Sequence, residues 1–294
     1  MSLQLTLKAQ PSAPLNLAGV NVTRCCAGAD LDAIRALPLD PAGMAKQGCI
    51  GDWFAVAGNT SAASLVVEGD LRHCHQLAAY HQRGEFIIHG SVGECVAYEA
   101  SGGHIMVEGS AGNHAASGMR GGRLTIAGNA GDYLGGPRRA VRTGMRGGTV
   151  VVAGSVGAYC GHRLRRGTVI VAGAAGAYCG WEMIAGTLAI GGPLGAYLGL
   201  AMRRGTILAA QGSTLPQRGF TPWLPAEAGA LRLIGRALRE ELADSAMAAV
   251  AATWQPLLDG LSQAVAGSWQ RSVGDRAVGG LGELLVPSGP QPNQ

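Results

Sequence analysis

Between residues 84 and 209 apolar positions recur in short alternating runs, each bracketed by glycine. The unit is a glycine, a four-residue apolar segment, a small residue and a second glycine, as in GMRGGTVVVAGSVGAYCG (144–161). Its opening glycines are Gly84, Gly103, Gly122, Gly148, Gly167, Gly186 and Gly205, spaced 19, 19, 26, 19, 19 and 19 residues apart. Ala63 opens a weaker copy 21 residues before Gly84. Glycine also recurs six and nine residues after each of the first six opening glycines, so three columns fix one register. Alternation predicts a strand in each unit, with Phe86, Ile105, Leu124, Val150, Val169, Leu188 and Ile207 pointing inward. Ile88, Val107, Ile126, Val152, Val171, Ile190 and Ala209 join them, and Met119, Met145, Leu164, Met183 and Met202 form a further core ladder.

The position between the inward pair holds Ile87, Met106, Val151, Ile170, Ala189 and Leu208, where a solvated face would carry polar groups. This outer apolar ladder predicts a cover, either the chain's own termini or another subunit. Repeats of 19 residues are too short for propeller blades or helix pairs. The expected fold is therefore all-β: a right-handed parallel β-helix of about 19-residue coils, with glycine turning the corners. Residues 1–62 read as a lead-in and cap, 63–212 as the repeat, and 213–294 as linker, helix and disordered tail. Within these, LQLTL is a strand, ADLDAIRAL a short helix stopped by Pro38, and GDWFAVAG (51–58) an irregular first coil. TLPQRGFTPWLP is an extended linker. Residues 226–253 are a helix with Leu231, Ile234, Leu238, Leu242 and Met247 on one face, ended or bent by Pro256.

Composition sharpens this picture. Of 294 residues 48 are Gly and 14% are charged, yet regular Val and Ile runs argue against disorder. Seven scattered cysteines without a CxxC pair read as reduced thiols. The start MSLQLTLKAQ lacks signal-peptide character, and no apolar run reaches about 18 residues, so a cytoplasmic chain without a membrane span is expected.

Glu85, Glu94, Glu99, Glu108, Asp132 and Glu182 are dispersed and pair into no general acid–base site. The GxGxxG-like stretches arise from the repeat and lack a strand–helix context. His73, Cys74, His75 and His81, with Cys95, are the most metal-like grouping, but ordinary core and surface roles account for them better. Cys160 and Cys179 share a repeat column with Leu134 and Leu198 and read as buried apolar positions.

Charge changes the picture most. The net charge is +4, and Arg138, Arg139, Arg142, Arg146, Arg163, Arg165 and Arg166 fall within thirty residues. Arg120, Arg146, Arg165 and Arg203 share a column, interrupted by Ile184. The one 26-residue unit adds seven residues beside that column, in GGPRRAVRTGMRGG. A basic bulge beside a basic ladder suits a polyanion or an acidic protein surface; a solvated edge is the remaining alternative. An independent nucleic-acid binder is disfavoured by the few aromatics, since the ladder Tyr133, Tyr159, Tyr178, Tyr197 is explained by stacking of repeats.

The unit GTVVVAGSVGAYCGHRLRRG resembles the glycine-rich C-terminal domain of glutamate synthase large subunits, and more closely the C-type subunit of the formylmethanofuran dehydrogenase family. The GDWFAVAG start, the arginine-bearing loop and the Gly-Met-Arg-Gly-Gly corners at 118–122 and 144–148 carry the likeness, over residues 3–212. The resemblance implies one of two settings. The archaeal one is a tungsten or molybdenum formylmethanofuran dehydrogenase. The bacterial one, favoured by the Ala/Arg-rich composition and helical tail, is a formyltransferase/hydrolase complex. It moves formyl from tetrahydromethanopterin to a methanofuran analogue and hydrolyses it to formate. A structural module of a glutamate synthase-like complex is the remoter alternative. In both family settings the C-type subunit is implied to be a non-catalytic scaffold among other subunits, binding no metal itself. Methanofuran-type cofactors carry glutamate-rich tails, which makes Arg138, Arg139, Arg142, Arg146 and Arg165 candidate contacts for such a polyglutamate tail.

Overall fold

The computed structural model describes residues 2–42, 47–139, 141–211, 219–243, 248–265 and 267–288. Each repeat unit places its apolar segment in one strand. These are β4 (Ser64–Glu68), β6 (Glu85–His89), β7 (Ser101–Val107), β8 (Gly121–Ile126), β9 (Arg146–Val152), β10 (Arg166–Val171), β11 (Thr187–Ile190) and β12 (Thr206–Ala209). They pair in parallel, each with the next. At one edge β1 (Leu3–Leu7) pairs parallel with β4 and antiparallel with β3 (Phe54–Gly58). At the other edge β15 (Gly282–Pro287) pairs parallel with β12, and β14 (Trp269–Gly274) and β13 (Leu224–Pro225) follow antiparallel. The result is one 13-stranded, mostly parallel sheet; β2 (Leu15–Asn16) and β5 (Cys74–His75) form a separate small pair.

The expected all-β parallel β-helix is corrected here. A repeat supplies one strand to a single sheet and does not close a coil of strands. Beyond the strand lies one isolated bridge residue, in the series Val92, Ala111, Ala130, Val156, Ala175. The chain then enters turns in which alternate residues are left-handed: Cys95, Ala97 and Glu99 have φ of 61°, 59° and 51°. Left-handed residues cannot continue a pleated strand. The described residues also form α-helices: α1 (Val22–Cys25), α2 (Leu31–Arg35), α3 (Ile50–Trp53), α4 (Ala228–Ala243) and α5 (Ala248–Ser262), the last two in the expected C-terminal helical extension. Asn21 and Asp30 cap the first two, each accepting from a backbone N–H three residues on.

The inward positions are as the pattern requires. Phe86, Ile105, Leu124, Val150, Val169, Leu188 and Ile207 are at most 1% exposed, and the Met119–Met145–Leu164–Met183–Met202 ladder is fully buried. Opening glycines such as Gly148 turn with φ +84°, and a Cβ there would lie 2.7 Å from the Gly122 carbonyl. Polar side chains tie unit to unit: Asn113 accepts from the Asp132 N–H (2.9 Å) and Asp132 from the Ala158 N–H (2.7 Å).

The outer ladder is covered by the chain itself, over part of its length. Val151, Ile170, Ala189, Leu208 and Leu285 pack beneath Leu231, Leu238 and Leu242 of α4 and Trp254, Leu258 and Leu261 of α5. The sheet thereby gains the two covered faces that parallel strands need. Leu231, Leu238 and Leu242 lie on one buried face as expected, with Ile234 partly buried; Met247 lies outside the described residues. Pro256 does not end the helix, for α5 runs on to Ser262. In the expected linker, residues 214–218 lie outside the described residues, while Phe220 and Trp223 pack on the core and Leu224–Pro225 forms β13. The expected disordered tail begins within β15 at Val286–Pro287, and 289–294 lie outside the described residues.

Candidate functional site

The seven-residue addition leaves the repeat after Gly135 (φ +66°) and rejoins it at Gly144, whose N–H donates to the Arg163 carbonyl at 3.0 Å. Between these points the loop is held to the turn face. Val141 N–H donates to the Arg138 carbonyl (3.1 Å), and Met145 N–H to the Gly135 carbonyl (2.7 Å). The loop thus lies between two grooves and sends arginines into both.

On one side Arg138 sits over the Tyr98 ring, with Cζ 5.0 Å from the centroid, a cation–π contact. It lines a groove of about 490 Å³ with Asn16, Gln47, His75, Glu94 and Cys95. On the other side Arg142 lines a groove of about 560 Å³ with Arg163, Glu182, Ile184, Arg203 and Val278. Arg163 donates from Nε to Glu182 at 2.5 Å. Three guanidiniums therefore face one carboxylate, and the groove is cationic.

The candidate residues do not form one cluster. Arg138 belongs to the first groove and Arg142 to the second. Arg146 turns to Glu99, 3.5 Å away, and Arg120 bonds the same carboxylate, so Glu99 offsets two members of the basic ladder. Arg139 and Arg165 are exposed. Arg163 and Arg203, outside the five candidates, complete the cationic groove. A signal existed: Glu99, Arg163 and Glu182 share one repeat column, so Arg163 and Glu182 are neighbours across adjacent units.

An aromatic wall rises on the same turn face. His114, Tyr133, Tyr159, Tyr178 and Tyr197 stack with centroids 4.7 to 4.9 Å apart. His162 stacks on Trp181 at 4.6 Å, and neither of its ring nitrogens has a hydrogen-bond partner. Burial, aided by neighbouring Arg163 and opposed by Glu182, pulls the His162 pKa down to about 4. Burial likewise lowers His114, with Arg138 adding to the shift and Glu94 and Asp132 opposing it.

The grouping of His73, Cys74, His75, His81 and Cys95 is dispersed. His81 is buried, with its ring edge-on to Phe86 and Nε2 3.2 Å from the Gly84 carbonyl. Cys74 is in the core. Among the described residues no group of three or more His, Cys, Asp or Glu is placed to hold a metal ion, and no helix is long and apolar enough to cross a membrane.

Neither protein-family models nor curated proteins give a match to this chain. Among solved structures it is similar to a chain of the X-ray crystal structure of the formyltransferase/hydrolase complex (FhcABCD) from Methylorubrum extorquens in complex with methylofuran. The TM-score is 0.82 and the identity 31%, with 97% of this chain and 100% of that chain covered. The chain belongs to the formyltransferase/hydrolase complex subunit family. The likeness extends beyond the repeat, since the repeat-bearing residues alone would not cover 97% of the chain. The basic loop and its two grooves are therefore features of a member of the formyltransferase/hydrolase complex subunit family.

Proposed function

We propose that this chain is the C-type, non-catalytic scaffold subunit of a formyltransferase/hydrolase complex, and that its basic loop holds the acidic tail of a methanofuran-type cofactor. The observation that carries the reading is the groove in which Arg142, Arg163 and Arg203 face the single carboxylate of Glu182. Guanidinium groups stay protonated at any working pH, so they bind carboxylates and do not exchange protons with a substrate. Such a groove is built for holding an anion, and a flexible tail with repeated carboxylates would engage several arginines in turn. Arg139, in the same loop, and Arg165 are exposed; Arg138, stacked on Tyr98, anchors the loop.

The test is kinetic, on the assembled complex. Arg142→Gln, Arg163→Gln and Arg203→Gln together should raise KM for a long-tailed cofactor at least tenfold and leave KM for a short-tailed one unchanged. Arg138→Gln serves as a comparison with a smaller effect. Unchanged KM for both cofactors in the triple variant would sink the tail-holding role.

A further inference from the structure

The helical layer covers only half of the sheet's outer face, and strand register shows where it stops. The central outward row runs Val66, Ile87, Met106, Thr125, Val151, Ile170, Ala189, Leu208, Leu285. From Val151 onward this row is fully or nearly fully buried under α4 and α5. The boundary is pinned by Glu241 near the end of α4. Arg123 donates to the Glu241 carbonyl (2.7 Å) and lies 3.2 Å from its carboxylate, which also accepts from the Thr149 hydroxyl (2.7 Å).

The flanking rows change character at the same boundary. Under the helices they are small: Thr149, Thr168, Thr187 and Thr206 on one side, Ala153 and Ala172 on the other. Beyond them, the row of Glu85, His104 and Arg123 lies on one side of Ile87 and Met106. Glu68, His89 and Glu108 lie on the other, with His89 2.7 Å from Glu108 and 3.8 Å from Glu68. Ile87 and Met106 are half-buried and line a groove of about 230 Å³ with Glu85 and Glu108. Among the described residues nothing forms a second layer over this apolar strip, and its rims carry three glutamates.

We propose that this open half of the face seats a segment of another subunit of the complex, one presenting apolar side chains flanked by lysine or arginine. The sheet supplies the apolar contact along Ile87 and Met106, and the rim glutamates select basic flanks. The proposal rests on membership of a multi-subunit family and is independent of the tail-holding role.

The test uses the full chain co-expressed with the other subunits. Two variants are compared with wild type: Ile87→Asp with Met106→Asp, and Glu68→Lys with Glu85→Lys and Glu108→Lys. The second changes only rim side chains, so folding is preserved, as circular dichroism would show. Both should weaken assembly at least tenfold, and peroxide oxidation of Met106 should slow when the wild-type chain enters the complex. Wild-type affinity in both variants overturns the proposal. So does slow Met106 oxidation in the isolated chain, which would mean the chain covers its own strip, or an effect on self-association alone. A wild-type chain that joins no partner would instead refute the scaffold reading.

Discussion

Ile87 and Ile170 occupy the same outward row, so truncating each compares two sites that differ mainly in what covers them. Ile170 is fully buried between the sheet and the α4–α5 layer. Ile170→Ala removes three carbons, worth about 2.4 kcal/mol at about 0.8 kcal/mol for each buried group. The cavity left under two helices raises the expected loss to about 3–4 kcal/mol. Ile87 is half-buried in an open groove, so Ile87→Ala loses about 1 kcal/mol and leaves no enclosed cavity. Denaturant midpoints read by tryptophan fluorescence are suited to this comparison, because Trp254 and Trp269 lie in the covering layer. Equal losses at the two sites would refute the division of the face into covered and open halves. The complex supplies a second comparison: once partner subunits bind, the cost of Ile87→Ala should rise toward that of Ile170→Ala.

Three further outcomes are expected. Gly148→Val forces a β-branched residue to φ +84° and against the Gly122 carbonyl, so it should cost at least about 2 kcal/mol in denaturant unfolding. His162 should make folding pH-sensitive: its pKa is about 4 folded against 6.5 as the ordinary value, so the unfolded chain binds the extra proton between them. Its contribution is complete above pH 6.5 and is lost as pH falls toward 4, so wild type should lose stability relative to His162→Leu over that interval. Burial pushes the Cys25 and Cys74 thiols up to about 12, and a hydrogen bond with Cys179, together with burial, raises Cys160. Iodoacetamide at mild alkaline pH should therefore modify these three only after denaturation, read by mass spectrometry.

Much of the strand layer was legible because its period is rigid. Inward columns, methionine ladder and glycine corners follow from a 19-residue spacing that five of the six steps between opening glycines repeat. The return path was not legible, because left-handed residues such as Tyr159 and Glu182 carry no signature beyond their column. A strand expectation there fails for a backbone reason, not a packing one. The last copy was hidden by distance. Gly282-Glu-Leu-Leu-Val repeats the opening motif 77 residues after Gly205, and Glu283, Leu284 and Leu285 pair with Thr206, Ile207 and Leu208. The two helices are thus an insertion between units, and this explains why they lie on the sheet they interrupt. Of the site, arginine density marked the region. Which arginines share a groove depended on Glu99 and Glu182, whose pairing needs the register of the turns as well as that of the strands.

The central claim is that the groove between Arg142, Arg163 and Arg203 holds an acidic cofactor tail, and Thr143 lines that groove without contributing a charge. A photo-crosslinking amino acid placed at Thr143 in the assembled complex reports directly on what occupies it. The account predicts a crosslink carrying the mass of the tailed cofactor, lost when Arg142, Arg163 and Arg203 are replaced by Gln. A crosslink to protein alone, with the cofactor captured from a probe at Gln76 in the other groove, would contradict it.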